Sequence, residues 1–172
     1  GYLAPYDQPS LKGVQLAIDE INASGGVDGM QINLIVKDTR SDTAQAAVAA
    51  QELVDGGVAV MIVSCDVDPA VASGVIAQVA EIPAASSCAS TPTLPAAVGP
   101  YMFSNYTADN LQGTVLASYA REQGYENAYI LLSRDTPYTE KLPEYFGEAF
   151  EAMGGTVVAV GEYTMGQQDF SA

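Results

Sequence analysis

Residues 58–74 read VAVMIVSCDVDPAVASG. An unbroken apolar run from Val58 to Val63 meets a cysteine and two aspartates, and Val71, Val75 and Val79 then recur at helical spacing. A run with no polar alternation suits a strand covered on both faces, as in a parallel sheet. Asp68 followed by Pro69 reads most simply as an N-cap and first helical residue, opening a helix that continues to about Glu81. The stretch is therefore one β-loop-α unit.

The same rhythm extends in both directions. Ile32 to Val36, Ala128 to Leu132 and Val157 to Val160 are further short apolar runs, and Tyr101 to Phe103 adds a short strand. Helical spacing marks Leu11, Val14, Ile18 and Ile21, stopped by Gly25-Gly26, and Thr43 to Val54, capped by Ser41 or Asp42 and ended by Gly56-Gly57. Leu111, Val115 and Tyr119 mark a fourth helix starting near Asp109, and Leu142 to Met153 a fifth. Repeating strand and helix signals predict an α/β class: a Rossmann-like, doubly wound parallel sheet with right-handed crossovers. Residues 86–100, SSCASTPTLPAAVGP, break the rhythm with three prolines and read as an extended loop. A seam at residues 104–109 divides the chain into 1–108 and 109–172, and the second part is short for an ordinary domain.

Composition narrows the function. The chain has 172 residues, 21 acidic against 6 basic, so it carries a formal charge of −15. Nucleic acid and anionic membrane both require basic patches, so neither is a predicted partner. There is no histidine. Ser-His, Cys-His and zinc-histidine chemistries are thereby excluded. No apolar run reaches the roughly 18 residues that span a bilayer. No basic–apolar signal segment opens the chain, so a leader removed on export and a trimmed start are both open readings of Gly1.

In open α/β sheets, ligands bind beyond the carboxyl ends of the strands. Those ends are read here at 5–8, 37–42, 64–69, 86–91 and 133–138. The loop after Ser86 is dense in small hydroxyl residues suited to a polar solute, although Ser and Pro also fill ordinary loops.

Longer segments carry a resemblance. GVQLAIDEINASGGVDGMQINLIVKDTRSDTAQAAVAAQELV (13–54), with Asp38 and Asp42, ADNLQG (108–113), RDTPYTE (134–140) and MGQQDFS (165–171), follow the order and spacing of the branched-chain amino-acid-binding proteins. These are the type I periplasmic solute-binding proteins of ABC transporters, and the chain resembles their N-terminal portion. The resemblance implies two Rossmann-like lobes that close on a solute: lobe one over 1–108, a hinge at Asp109, and the first βαβ unit of lobe two over 109–172. It also implies an exported, periplasmic or extracellular protein that binds a small solute and delivers it to a membrane ABC permease, with no cofactor, metal or catalysis. A ligand-binding sensor domain of the same fold is the alternative, and a carboxylate-dependent hydrolase a weaker one.

Carried over by position, Tyr6 matches an aromatic that packs on the solute from the first loop. Cys88, Ala89 and Ser90 match the loop that meets its ammonium and carboxylate groups, and Tyr138 matches the aromatic of lobe two. The loop that in the family carries carboxylate-binding serines reads Cys65-Asp66-Val67-Asp68-Pro69 here, placing Asp66 and Val67 among the ligand-facing residues. A carboxylate beside a solute carboxylate is repulsive, so an amide, a polyol, an aromatic compound or a cation competes with an amino acid as the solute. Each position has a plainer role open: loop filling for Tyr6, turn capping for Ser90, packing for Tyr138.

Cys65 and Cys88 each lie just beyond a strand, and the two strands are expected to be neighbours. A disulfide and a pair of free thiols both remain open, because the Cα atoms must approach within about 7 Å. Asp66 and Asp68 as an acid–base pair or a hard-cation site find no second carboxylate cluster in support.

Overall fold

A computed structural model describes residues 1–170. Ser171, the last residue of the MGQQDFS segment, lies outside the described residues. The chain separates into two compact units: Gly1–Ala89 with Pro95–Asn105, and Ser90–Leu94 with the chain from Tyr106 onward.

The first unit holds helix α1 (Ala4–Ala23), α2 (Thr43–Asp55), strand β1 (Met61–Val63), α3 (Val67–Val79), β2 (Ala84–Ser86) and β3 (Met102–Ser104), and the short helix α4 (Leu94–Val98) precedes β3. The strands form one parallel sheet in the order β1-β2-β3. Alanines decide the packing. Ala46, Ala49 and Ala50 of α2 and Ala70 and Ala77 of α3 are buried, and the Ser73 hydroxyl donates to the Ala46 carbonyl at 3.3 Å. Small side chains allow the two helix backbones this close approach. Met61 and Val63 of β1, Ala84 of β2 and Met102 of β3 complete the core.

The second unit contains α5 (Asp109–Glu122), β4 (Asn127–Leu132), α6 (Pro137–Ala152) and β5 (Thr156–Glu162), with β4 and β5 paired in parallel. A parallel pair needs a crossover, and α6 supplies it. Ile130, Leu132 and Phe150 are buried.

The α/β class with parallel sheets agrees with the sequence expectation, but several elements differ. Residues 32–36 are not a strand. The Asn22 side chain takes both backbone groups of Ile32, donating to its carbonyl at 2.9 Å and accepting its N–H at 2.7 Å. Ile35 and Val36 are left exposed, with no ladder partner. Only Met61–Val63 of the longer apolar run pairs in the sheet. Residues 5–8 belong to α1 rather than to a loop, with Pro5 in the first turn, where a missing N–H costs nothing. Helix α3 begins at Val67, not Pro69, and its cap is Asp66 rather than Asp68. It stops at Val79, before Glu81, whose φ of 55° is left-handed. The 86–100 stretch also includes α4.

In the second unit, helices α5 and α6 meet at a glycine. A Cβ on Gly113 would stand 2.7 Å from the Phe146 nitrogen and 2.9 Å from the Tyr145 carbonyl carbon, both backbone atoms that cannot swing aside. Gly113→Ala gains about 1 kcal/mol of helix propensity and meets an overpacking cost of about 1–3 kcal/mol. The expected outcome in urea unfolding is net destabilisation of this unit by up to about 2 kcal/mol.

Candidate functional site

The carboxyl ends of β1 and β2 are joined covalently. Cys65 and Cys88 form a disulfide with their Cα atoms 4.7 Å apart. A lattice of hydroxyls surrounds it. Ser10 Oγ of α1 lies 3.7 Å from the Cys65 sulfur and 3.9 Å from that of Cys88, and the Ser87 hydroxyl donates to Ser10 Oγ at 3.0 Å. Ser86 links the two loops a second time: its hydroxyl donates to the Ser64 carbonyl and accepts the Ala89 N–H, both at 2.9 Å. The Ala89 carbonyl accepts the Ser104 hydroxyl at 3.0 Å. Asp66 and Val67, where the first loop enters α3, are thus brought beside the loop that carries Cys88 and Ala89.

Asp7, one turn before Ser10 on α1, reaches the same place. Its carboxylate accepts the Ser64 hydroxyl at 3.0 and 3.2 Å and the Cys65 N–H at 2.8 Å. Sequence reasoning missed Asp7, Ser10, Ser64 and Ser87. The available signal was the i, i+3 spacing of Asp7 and Ser10, which puts both on one helical face. Tyr6 lies on α1 rather than on a loop and is 63% exposed.

Asp66 is half-buried at the N-terminus of α3, where its Oδ1 accepts the Val67 N–H at 2.9 Å. Burial pushes its carboxyl above the ordinary range; the Val67 bond opposes this, and the charges of Asp68 and Asp7 add to it. Burial first, then the charges of Asp66 and Asp68, raise the Tyr2 phenol. Among the described residues, no group of three or more His, Cys, Asp or Glu side chains is placed to hold a metal ion.

In the second unit, Ser90 and Asp109 are both buried. The Asp109 N–H donates to the Ser90 carbonyl at 2.8 Å. Burial raises the Asp109 carboxyl, and a hydrogen bond from the Ser90 side chain opposes the rise. Tyr138 sits in the first turn of α6, after the Thr136 cap and Pro137, and is 42% exposed.

Comparison with known proteins bears on the chain as a whole. The family model described as "Periplasmic binding protein" matches residues 1–172. The chain is 25% identical over its full length to the leucine-, isoleucine-, valine-, threonine- and alanine-binding protein of Pseudomonas aeruginosa, covering 46% of that protein. It is 28% identical to the Leu/Ile/Val-binding protein BraC3 of Rhizobium johnstonii, covering 47% of it. Among solved structures, the branched-chain amino acid transporter substrate-binding protein LivJ of Streptococcus pneumoniae, in complex with isoleucine, superimposes with a TM-score of 0.91. That match has 31% identity and covers 99% of this chain and 49% of the other. The chain spans about half the length of the curated relatives it matches.

The raised Asp66 carboxyl carries a pH signature. A carboxyl whose pKa is raised on folding costs nothing below its unfolded-state pKa, and costs stability once the pH passes its folded-state pKa. Asp66→Asn keeps an N-cap acceptor and removes the charge. Its stability relative to wild type is therefore expected to rise as the pH goes from about 3 to about 7 in urea unfolding; a flat or falling difference contradicts the assignment.

Proposed function

The chain belongs to the periplasmic binding protein family, and on that premise we propose that the full-length protein is an extracytoplasmic solute-binding protein of an ABC transporter. It takes up an amino acid or a related small polar solute (an amide, a polyol or an aromatic compound) and delivers it to a membrane permease. The observation that carries the reading is the pair of loops at the carboxyl ends of β1 and β2, cross-linked by Cys65–Cys88 and pinned to α1. Ligands of open parallel sheets bind beyond such strand ends. The disulfide supports an oxidising compartment, as expected of an exported protein.

The residues proposed to face the solute are Tyr6, Asp66, Val67, Cys88, Ala89, Ser90 and Tyr138. Residues 1–108 are read as the first lobe and residues from 109 as the start of the second, with Asp109 as a hinge residue. The work done is binding, not chemistry. A solute held more tightly by the closed form than by the open one shifts the population toward closure, and the permease reads the closed form.

A thermal-shift panel on the full-length protein, spanning amino acids, their amides, polyols and aromatic acids, tests this. A solute at about 100 times its Kd stabilises the native state by about 2.7 kcal/mol, a clear rise in Tm. At least one class is expected to give such a rise. No shift with any class contradicts the proposal.

A further inference from the structure

We propose that Asp7 is a specificity-determining residue, whose own carboxylate occupies the donors that a solute carboxylate would need at the end of β1. This inference rests on the solute-binding reading above and names the class of solute. Four donors of the loop already have acceptors within the chain. The Ser64 hydroxyl and the Cys65 N–H both point to Asp7, at 3.0 and 2.8 Å. The Val67 N–H, at the start of α3, points to Asp66 at 2.9 Å. The Asp66 N–H lies 3.5 Å from Ser64 Oγ. Bonds from neutral donors to a carboxylate are the stronger kind, so a solute anion would have to displace one fixed charge while standing beside another.

The backbone that carries Asp7 is held in α1. It lies in the first turns of α1, its own N–H donating to the Leu3 carbonyl at 3.0 Å. One turn further on, Ser10 touches both sulfurs of the disulfide. Asp7 is therefore a built-in acceptor for two donors that an incoming carboxylate would otherwise meet. What the loop offers outward is oxygen lone pairs and negative charge from Asp7, Asp66 and Asp68. The group that fits there is an N–H donor (an ammonium, amidinium or amide) and not a carboxylate.

L-Leucine and L-leucinamide, which differ only in carboxylate against carboxamide, separate the two cases. Calorimetric titration of the full-length protein uses wild type, Asp7→Ala and Asp7→Asn, each checked for a native melting transition. Wild type is expected to prefer leucinamide. Asp7→Ala, which frees the Ser64 and Cys65 donors, is expected to bind leucine at least about tenfold more tightly, with leucinamide changed less than about threefold. Asp7→Asn should fall between, since it is uncharged but keeps an acceptor for the Cys65 N–H. Because Asp7→Asn is isosteric, it gives a reading even where Asp7→Ala fails to fold. Wild type preferring leucine, or no gain in leucine affinity in either variant, overturns the proposal. Failure of the solute-binding reading looks different: wild type then shifts with no solute of the wider panel.

Discussion

The pairing of β1 with β2 sets the geometry on which the rest of the first unit depends. Val63 lies opposite Ser86 in a parallel register, so the residues two positions further along each chain, Cys65 and Cys88, fall opposite one another and on the same side. Their Cα separation of 4.7 Å matches the spacing of neighbouring strands, and the disulfide continues the ladder past its last hydrogen bond. A cross-link across 23 residues removes about 3 kcal/mol of chain entropy from the unfolded state. It also holds the two strand-end loops at one fixed distance, and a loop that contacts a small molecule needs that fixity. Two strands of three residues each would otherwise hold their ends weakly.

Much of the fold was legible because apolar periodicity reports on local structure. The βα alternation, the Asp42 cap of α2 and the stops at Gly25-Gly26 and Gly56-Gly57 are contained in short windows of sequence, and the structure has helices bounded there. Residues 32–36 show the limit. Their pattern is that of a strand, but a strand exists only with a neighbour, and Asn22 captured the Ile32 backbone instead. The start of α3 was misread for a subtler reason. Asp66 and Asp68 are both good caps, and Pro69 tolerates either position in the first turn, so local chemistry alone left the choice between them undecided.

The candidate site was less legible than the fold. Asp66 and Cys88 were visible as chemistry-bearing residues at strand ends, but Asp7 acts through contacts 57 and 58 positions away in sequence. No local pattern announces such a contact. Its consequence is a change of sign: a loop whose serine and backbone N–H would suit an anion becomes, with Asp7 in place, a surface of acceptors. The excess of acid over base in the whole chain is a diffuse property of its surface. At the end of β1 it becomes local: burial chiefly raises the carboxyl of Asp66, and the charges of Asp68 and Asp7 add to the rise.

The cross-linked loops after β1 and β2 are the proposed seat of the solute. A crystal structure of the full-length protein with the panel's strongest solute shows whether it binds there. Polar atoms of the solute are expected within about 3 Å of groups in residues 64–67 and 88–89. A solute bound elsewhere, with both loops touching only solvent, would contradict that placement.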